Sequence, residues 1–471
     1  MIGARSARVG LRLAAIVRIG LCLAASALIA EAAAAAPLHL PPVVRARLKN
    51  GLRVFVVATD RVPLVDVRLV ARAGSVDDPP GKEGLASLTA DLLDQGAGAR
   101  DARQIAEQIA FVGGSLDAEA DVERTVVTCE VLKKDFEVGL GLFRDVIVTP
   151  RFAAEEVERR RNEAVAEIVS RTNDPATVAD VALGPFLLGQ SRLAHPALGY
   201  RSSVAALTRD DVAAFHARWM RPENSLLAVV GDVEPRAVIA ALERAFASWQ
   251  PGARAPNLRY DPVPQVQGRR VEIVNKPEVN QAQVRIGCIG VPRNHPDRFP
   301  ILVANTILSG GFTSRLTSEV RVRQGLTYEI QSDFDMDRDA GTYDIESSTR
   351  IEATRQLIDA ALAQVQRLAA EGPTLQELTT AVQYLTGQYP LDLQAPDALA
   401  ERLLDVEFYG LGANDLEGFP DRVRAVSMVD VRRALKSYFC VSDLRIVVVA
   451  DPAAVRSQLE SLGPVEVAEP Q

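Results

Sequence analysis

At 471 residues the chain is too long for one compact core, so at least two domains are expected, each with an interior of its own. Hydrophobic residues make up 48% and charged residues 24%, a balance that excludes wholesale disorder and a polytopic membrane protein. The formal net charge of −8 argues against nucleic acid as a partner.

In chain order, Arg5, Arg8, Arg12 and Arg18 come first, then an apolar run from Ile19 to Ala30, then the small-residue stretch Ala32 to Ala36. This is the pattern of a secretory signal peptide over residues 1–36. An Arg-rich, acid-poor leader also suits a mitochondrial transit peptide, but the continuous apolar core and the Ala-x-Ala ending suit export better. The run is short for a membrane span, and Leu21 before Cys22 disfavours lipidation, so no integral membrane segment is expected after processing. A periplasmic or secreted protein is expected. Removing the leader takes away four arginines and Glu31, so the net charge becomes −11. Cys129, Cys288 and Cys440 remain, odd in number and set in apolar stretches; buried free thiols are expected, with one disulfide left open.

The next segments repeat. Val67-Arg-Leu-Val answers Val284-Arg-Ile-Gly, Asp211-Val-Ala-Ala-Phe-His216 answers Asp430-Val-Arg-Arg-Ala-Leu435, and the run from Leu226 to Asp232 answers that from Leu444 to Asp451. The three offsets are 217, 219 and 219 residues, so the register holds across the chain. Strands are predicted at Leu52 to Ala58, Val65 to Ala71, Thr125 to Val131 and Leu226 to Val230, and helices at Glu83 to Gln95, Ala102 to Val112 and Phe152 to Ser170. Residues 251–268 hold four prolines and no apolar periodicity, which predicts a linker. The expected division is therefore a lobe at 37–250, the linker, a sibling lobe at 269–455 and a tail at 456–471. The fold class is α+β: two homologous lobes, each a mainly antiparallel sheet with helices on one face, closing on each other as a clamshell.

Asn50-Gly-Leu-Arg-Val-Phe-Val, Arg72-Ala-Gly-Ser-Val-Asp-Asp-Pro-Pro-Gly-Lys-Glu-Gly-Leu-Ala86, Val112-Gly-Gly-Ser, His195-Pro-Ala-Leu-Gly199 and Arg221-Pro-Glu-Asn224 together resemble the insulinase/pitrilysin family of zinc peptidases. The resemblance runs through nearly the whole chain after the leader. In active members the helix after Gly-Leu-Ala carries H-x-x-E-H, two zinc-binding histidines and the base that activates water. Here the corresponding residues are Ser87-Leu-Thr-Ala90-Asp91, and the family's third ligand corresponds to Glu167, one turn after Glu163. A catalytic zinc takes about three protein ligands and an open position, so Ser87, Ala90, Asp91 and Glu167 form a degenerate zinc motif and no metal is expected on this chain. The four histidines, at 39, 195, 216 and 295, show neither H-x-x-E-H nor H-x₃-H spacing.

In the second half, Ser314-Arg-Leu-Thr-Ser-Glu-Val-Arg321-Val-Arg-Gln-Gly-Leu-Thr-Tyr328 resembles the family segment whose Arg and Tyr hold the substrate and stabilise the oxyanion. A helix is predicted to end near Gln324 with Gly325 as its cap, and an extended stretch to begin at Leu326. Without the family context, Arg321 and Arg323 read as complements to a helix C-terminus and Tyr328 as packed on the sheet. Ser309-Gly-Gly311 resembles the glycine-rich loop of non-catalytic family subunits, and Gly113-Gly-Ser-Leu-Asp117-Ala departs from the active members' Gly-Gly-x-x-Asn-Ala.

The resemblance implies a non-catalytic subunit of a heterodimeric zinc metallopeptidase. A homologous H-x-x-E-H-bearing partner would supply zinc and base, and this chain would supply Arg321 and Tyr328 toward a peptide substrate. Two other readings stand beside it: a structural or peptide-binding protein with no role in proteolysis, and an independent hydrolase using Asp91, Glu163 or Glu167.

Overall fold

In a computed structural model of the chain, the described residues are 38, 40–252 and 263–470; the expected leader and most of the expected linker lie outside them. The first half runs β1 (Val43–Arg47), β2 (Arg53–Ala58), β3 (Leu64–Ala71), α1 (Leu85–Asp91), α2 (Ala102–Phe111), β4 (Ser115–Ala120), β5 (Thr125–Leu132), α3 (Phe136–Val148), α4 (Ala154–Arg171), α5 (Pro175–Leu188), α6 (Arg201–Ala205), α7 (Arg209–Trp219), β6 (Ser225–Gly231) and α8 (Pro235–Ala245). The second runs β7 (Arg270–Asn275), β8 (Gln281–Ile289), α9 (Arg298–Ser309), a π-helical turn (Thr317–Arg323), β9 (Ile330–Met336), β10 (Gly341–Arg350), α10 (Thr354–Glu371), α11 (Leu375–Asp392), α12 (Pro396–Tyr409), α13 (Asp415–Arg424), α14 (Met428–Tyr438), β11 (Arg445–Ala450), α15 (Pro452–Leu459) and β12 (Val465–Ala468).

The repeat is structural as well as textual. The two six-stranded sheets run β1-β2-β6-β3-β5-β4 and β12-β7-β11-β8-β10-β9, so the sequence landmarks fall on equivalent strands, Val67 on β3 and Val284 on β8. Even the helix caps are copied. Thr208 caps α7 through the Asp211 N–H, whose carboxylate returns the bond, and Ser427 does the same with Asp430 at the head of α14. Most strand pairs are antiparallel; β2 with β6, β7 with β11 and β7 with β12 are parallel.

Each sheet packs its own helices on one face, around two separate apolar cores. The opposite face is covered by the other half of the chain. Helix α5 lays Val178 and Ala179, with Leu183 and Phe186, on Val274, Val447 and Val449 of the second sheet. Helix α12 lies reciprocally on β3 and β6 of the first sheet. This exchange explains why all seven residues of β6 and five of six in β11 are buried, giving continuous apolar runs rather than alternation. Charges cross the same boundary: Arg285 on β8 reaches Asp180 on α5 at 2.5 Å, and Arg124 pairs with Asp405 on α12.

Three expectations change. The tail at 456–471 is not a tail: α15 extends to Leu459, and β12 pairs in parallel with β7 because Val465 and Val467 carry a strand pattern past the turn at Gly463. Cys288 and Cys440 are joined in a disulfide rather than free, since β8 and the segment between α14 and β11 bring them together from 152 residues apart; Cys129 is free and buried. Extended pairing begins at Ile330, not Leu326. No helix among the described residues is long and apolar enough to cross a membrane.

Candidate functional site

Helix α1 is launched by a buried carboxylate. Asp78 accepts from the N–H groups of Gly84 (2.7 Å) and Ala86 (2.8 Å), doing the work of a cap from six residues upstream. The His195-Pro-Ala-Leu-Gly199 loop lies flush against this start. A Cβ on Gly199 would come within 2.0 Å of the Glu83 carbonyl, and one on Gly84 within 2.5 Å of the Leu198 carbonyl, so two glycines with positive φ let the chains touch. This motif therefore positions α1.

The helix so positioned offers little to a cation. Ser87 and Ala90 are buried among the residues of α1, and Ala90 has no polar side-chain atom. Asp91 is half-buried; burial pushes its carboxyl above the usual carboxylate range, and neighbouring Arg160 pulls it back. From α4, Arg160 donates Nε–H to the Asp91 carbonyl (3.4 Å) and a second N–H to Glu163 (3.2 Å). Hydrogen bonds from Arg160 and Arg159 hold the Glu163 carboxyl below its usual range. Glu167 is exposed and takes both its bonds from Arg171, at 2.8 and 3.1 Å. A zinc site of this kind wants neutral imidazoles and a free carboxylate; the set here is a hydroxyl, a methyl, the half-buried Asp91 carboxyl near Arg160, and Glu163 and Glu167 already bonded by guanidinium groups. The residues present do not fit a catalytic zinc. Among the described residues, no group of three or more His, Cys, Asp or Glu side chains is gathered as a metal site.

The second lobe is arranged otherwise. Leu316, Val320 and Leu326 are buried and anchor the passage around the π-helical turn. Within it the Gln324 N–H reaches back five residues to the Glu319 carbonyl (3.0 Å), and Gly325 closes the turn at φ +60. Arg323 and Gln324 both bond the Glu319 carboxylate. Arg321 does not. Its guanidinium carbon lies 4.8 Å from the ring centre of Tyr328 and 5.4 Å from that of Phe312, and no hydrogen bond or ion pair of its side chain is formed among the described residues. Tyr328 is 81% exposed and so does not pack on the sheet. The structure thus brings Arg321 and Tyr328 together, but no hydrogen bond, ion pair or ring contact among the described residues joins them to α1.

Comparisons with known proteins give the family of these duplicated lobes. Residues 53–183 match the insulinase (Peptidase family M16) domain, and residues 206–385 match the peptidase M16 inactive domain. The chain belongs to the insulinase family, M16. An uncharacterized zinc protease of Mycobacterium leprae is 30% identical over 77% of this chain and 81% of its own length. One of Streptomyces coelicolor is 27% identical over 82% and 85%. The crystal structure of a peptidase M16 inactive domain from Pseudomonas fluorescens superposes with a TM-score of 0.82 at 26% identity, covering 87% of this chain and 98% of that one. A Helicobacter pylori protease shares the fold, with a TM-score of 0.81 at 20% identity over 87% of this chain and all of the other. Within M16, this chain is a member without the H-x-x-E-H helix.

A cavity of about 780 Å³ lies between the lobes, away from both regions. Its walls include Leu187 and Leu193 on one side and Asp335, Asp337, Asp344 and Glu346 on the other. Burial pushes Asp344 up to about 7 and Asp337 up to about 6, each raised further by Asp335. Asp333 and Asp344 sit directly opposite on β9 and β10, a like-charge pairing that Arg285 offsets in part at Asp344.

Sequence reasoning missed Arg160 and Phe312. Arg160 lies in the run Arg159-Arg-Arg161, one turn before Glu163, where its guanidinium bonds both Glu163 and the Asp91 carbonyl. The signal for Phe312 is a large apolar residue directly after Gly310-Gly311.

Proposed function

We propose that this chain is the non-catalytic subunit of a heterodimeric zinc metallopeptidase, exported to the periplasm or secreted, and inactive by itself. The observation that carries the reading is Arg321: a guanidinium held beside two exposed rings with its N–H donors unspent, in a chain whose own metal helix has neither histidines nor a base and meets Arg160 at the Asp91 carbonyl. An unspent donor edge is what an oxyanion or a substrate carbonyl requires. Tyr328 would add its hydroxyl beside it. The partner is a homologous chain with an intact H-x-x-E-H, which would supply zinc and the base toward a peptide substrate; this chain binds no cofactor. The disulfide between Cys288 and Cys440 supports an oxidising compartment.

The test is reconstitution. Each chain purified alone should leave a peptide library intact, and the two together with zinc should cleave it. Stoichiometric zinc and robust cleavage by this chain alone would remove the proposal.

The acidic cavity between the lobes favours a second reading, a peptide-binding member with no role in proteolysis. Binding of a basic, leucine-containing peptide by the isolated chain, with no cleavage by any H-x-x-E-H partner, would select it.

A further inference from the structure

Phe312 is 79% exposed, an expensive place for a benzyl side chain unless it has a task on the surface. It sits at the end of a turn that glycine alone shapes. Gly310 lies against Thr306 with no room for a Cβ, which would meet its carbonyl and Cγ2 at 2.6 Å, and Gly311 holds φ +134. This turn leaves α9 and swings the Phe312 ring to 5.4 Å from the Arg321 guanidinium, on a segment distinct from that carrying Tyr328. Arg323, two residues on, is held by a carboxylate; Arg321 is held by rings alone. The distinction has a chemical consequence. A carboxylate occupies guanidinium donors, whereas an aromatic face attracts the cation through its quadrupole and leaves the N–H rim free.

We propose that Phe312 is a positioning residue for Arg321: delivered by the Gly310-Gly311 turn, its ring restrains the guanidinium beside Tyr328 without consuming a donor, so that Arg321 meets a substrate oxygen already oriented. The effect on catalysis rests on the function proposed above; the restraint itself does not. Restraining a long side chain before binding saves the entropy of fixing it in the complex.

Two arms of one experiment separate these. In the first, the processed chain alone is treated with phenylglyoxal, and the modification rates of Arg321 and Arg323 are followed by peptide mass mapping in wild type, Phe312→Leu and Phe312→Trp. Losing one ring from an exposed cation contact should speed Arg321 modification about two- to five-fold in Phe312→Leu, while Phe312→Trp keeps the wild-type rate. Arg323 is the internal control and should not change. Equal Arg321 rates in all three proteins overturn the proposal, whatever the activity. In the second arm the reconstituted pair is assayed. Phe312→Leu should lower kcat/KM about two- to five-fold and Phe312→Trp should restore it. If Arg321→Ala leaves cleavage untouched, the function reading fails while the restraint measured in the first arm stands. Because Phe312 is exposed, all three proteins should keep the same melting temperature, which shows that the arms read the side chain and not the fold.

Discussion

The two lobes repeat one passage, a helix leading through a glycine into an edge strand, and make different things of it. In the first lobe α2 is a regular helix with an Asp101/Gln104 capping box, Gly113 turns the chain at φ +66, and β4 follows with no side chain bonded to its outer edge among the described residues. In the second the helix is π-wound, Gly325 turns at φ +60, and the edge of β9 is covered: Ser309 accepts from the Ser332 N–H at 2.8 Å and Asn305 donates to its carbonyl at 2.7 Å. The lobe that lost its metal helix keeps an open edge. The lobe that keeps the Arg/Tyr pair has closed its own. Duplication supplied two equal frames, and the differences lie in side chains the frame does not need.

The sharpest way to break this comparison is to remove Arg321 from the reconstituted pair. Arg321→Ala should cost about 10²- to 10³-fold in kcat/KM, as for the loss of one oxyanion donor, read from steady-state cleavage. A charge deletion on the first lobe's edge, Asp117→Ala, leaves that donor pair intact and should fall well short of this loss.

The lobes also differ in covalent support, since the second alone carries a disulfide among the described residues. Replacing both Cys288 and Cys440 with alanine should lower stability by about 3 kcal/mol, measured by urea unfolding under oxidising conditions. Cys129, buried on β5 with its thiol pushed up to about 12 by burial, should stay unreactive to a thiol reagent until the chain is unfolded.

A third test addresses where the lobes meet. The β4–β5 turn touches the β9–β10 turn, where Glu123 accepts from the Arg338 N–H at 3.0 Å. Burial pushes the Glu123 carboxyl up to about 8, with Asp337 adding to the rise. Its folded value lies above its unfolded one, so its contribution favours the folded state at acid pH and is lost as pH climbs from about 4.5 to about 8. Melting curves across that window should show stability falling, and Glu123→Gln should remove on the order of 2 kcal/mol of the fall. A slope unchanged by Glu123→Gln would assign it to other buried acids such as Asp344.

The smallest effect concerns the covered edge. Asn305→Ala removes two hydrogen bonds to Ser332 of β9, one given to its carbonyl and one accepted from its hydroxyl, and should cost about 1.5 kcal/mol, with faster amide hydrogen exchange at the second lobe's edge and none added at β4.

Much of this is legible in the residues alone. The repeated segments place β3, β6 and α7 on β8, β11 and α14, because apolar periodicity and capping residues act over a few neighbours and survive duplication. The missing histidines and glutamate on α1 are equally plain, since ligand chemistry is a property of residue type. Less legible is anything that depends on residues far apart. Arg160 reads as one of three arginines on an exposed helix until α4 is packed beside α1. The strand at Val465 reads as a frayed end because its partner, β7, lies nearly two hundred residues earlier.

By itself, then, the sequence determined that there are two sibling lobes, that one lacks both histidines and the base where its family keeps H-x-x-E-H, and that the other retains an arginine and a tyrosine seven residues apart. Only the tertiary structure decided that each lobe lends a helix to the other's sheet, that Cys288 and Cys440 meet while Cys129 stays apart, and that Arg321 is held by rings instead of a carboxylate. The reason is the range of the forces concerned. Helix period, caps and ligand spacing are set within a turn or two of chain, whereas burial, disulfide pairing and the partner of a charged side chain are settled by which distant surfaces close together.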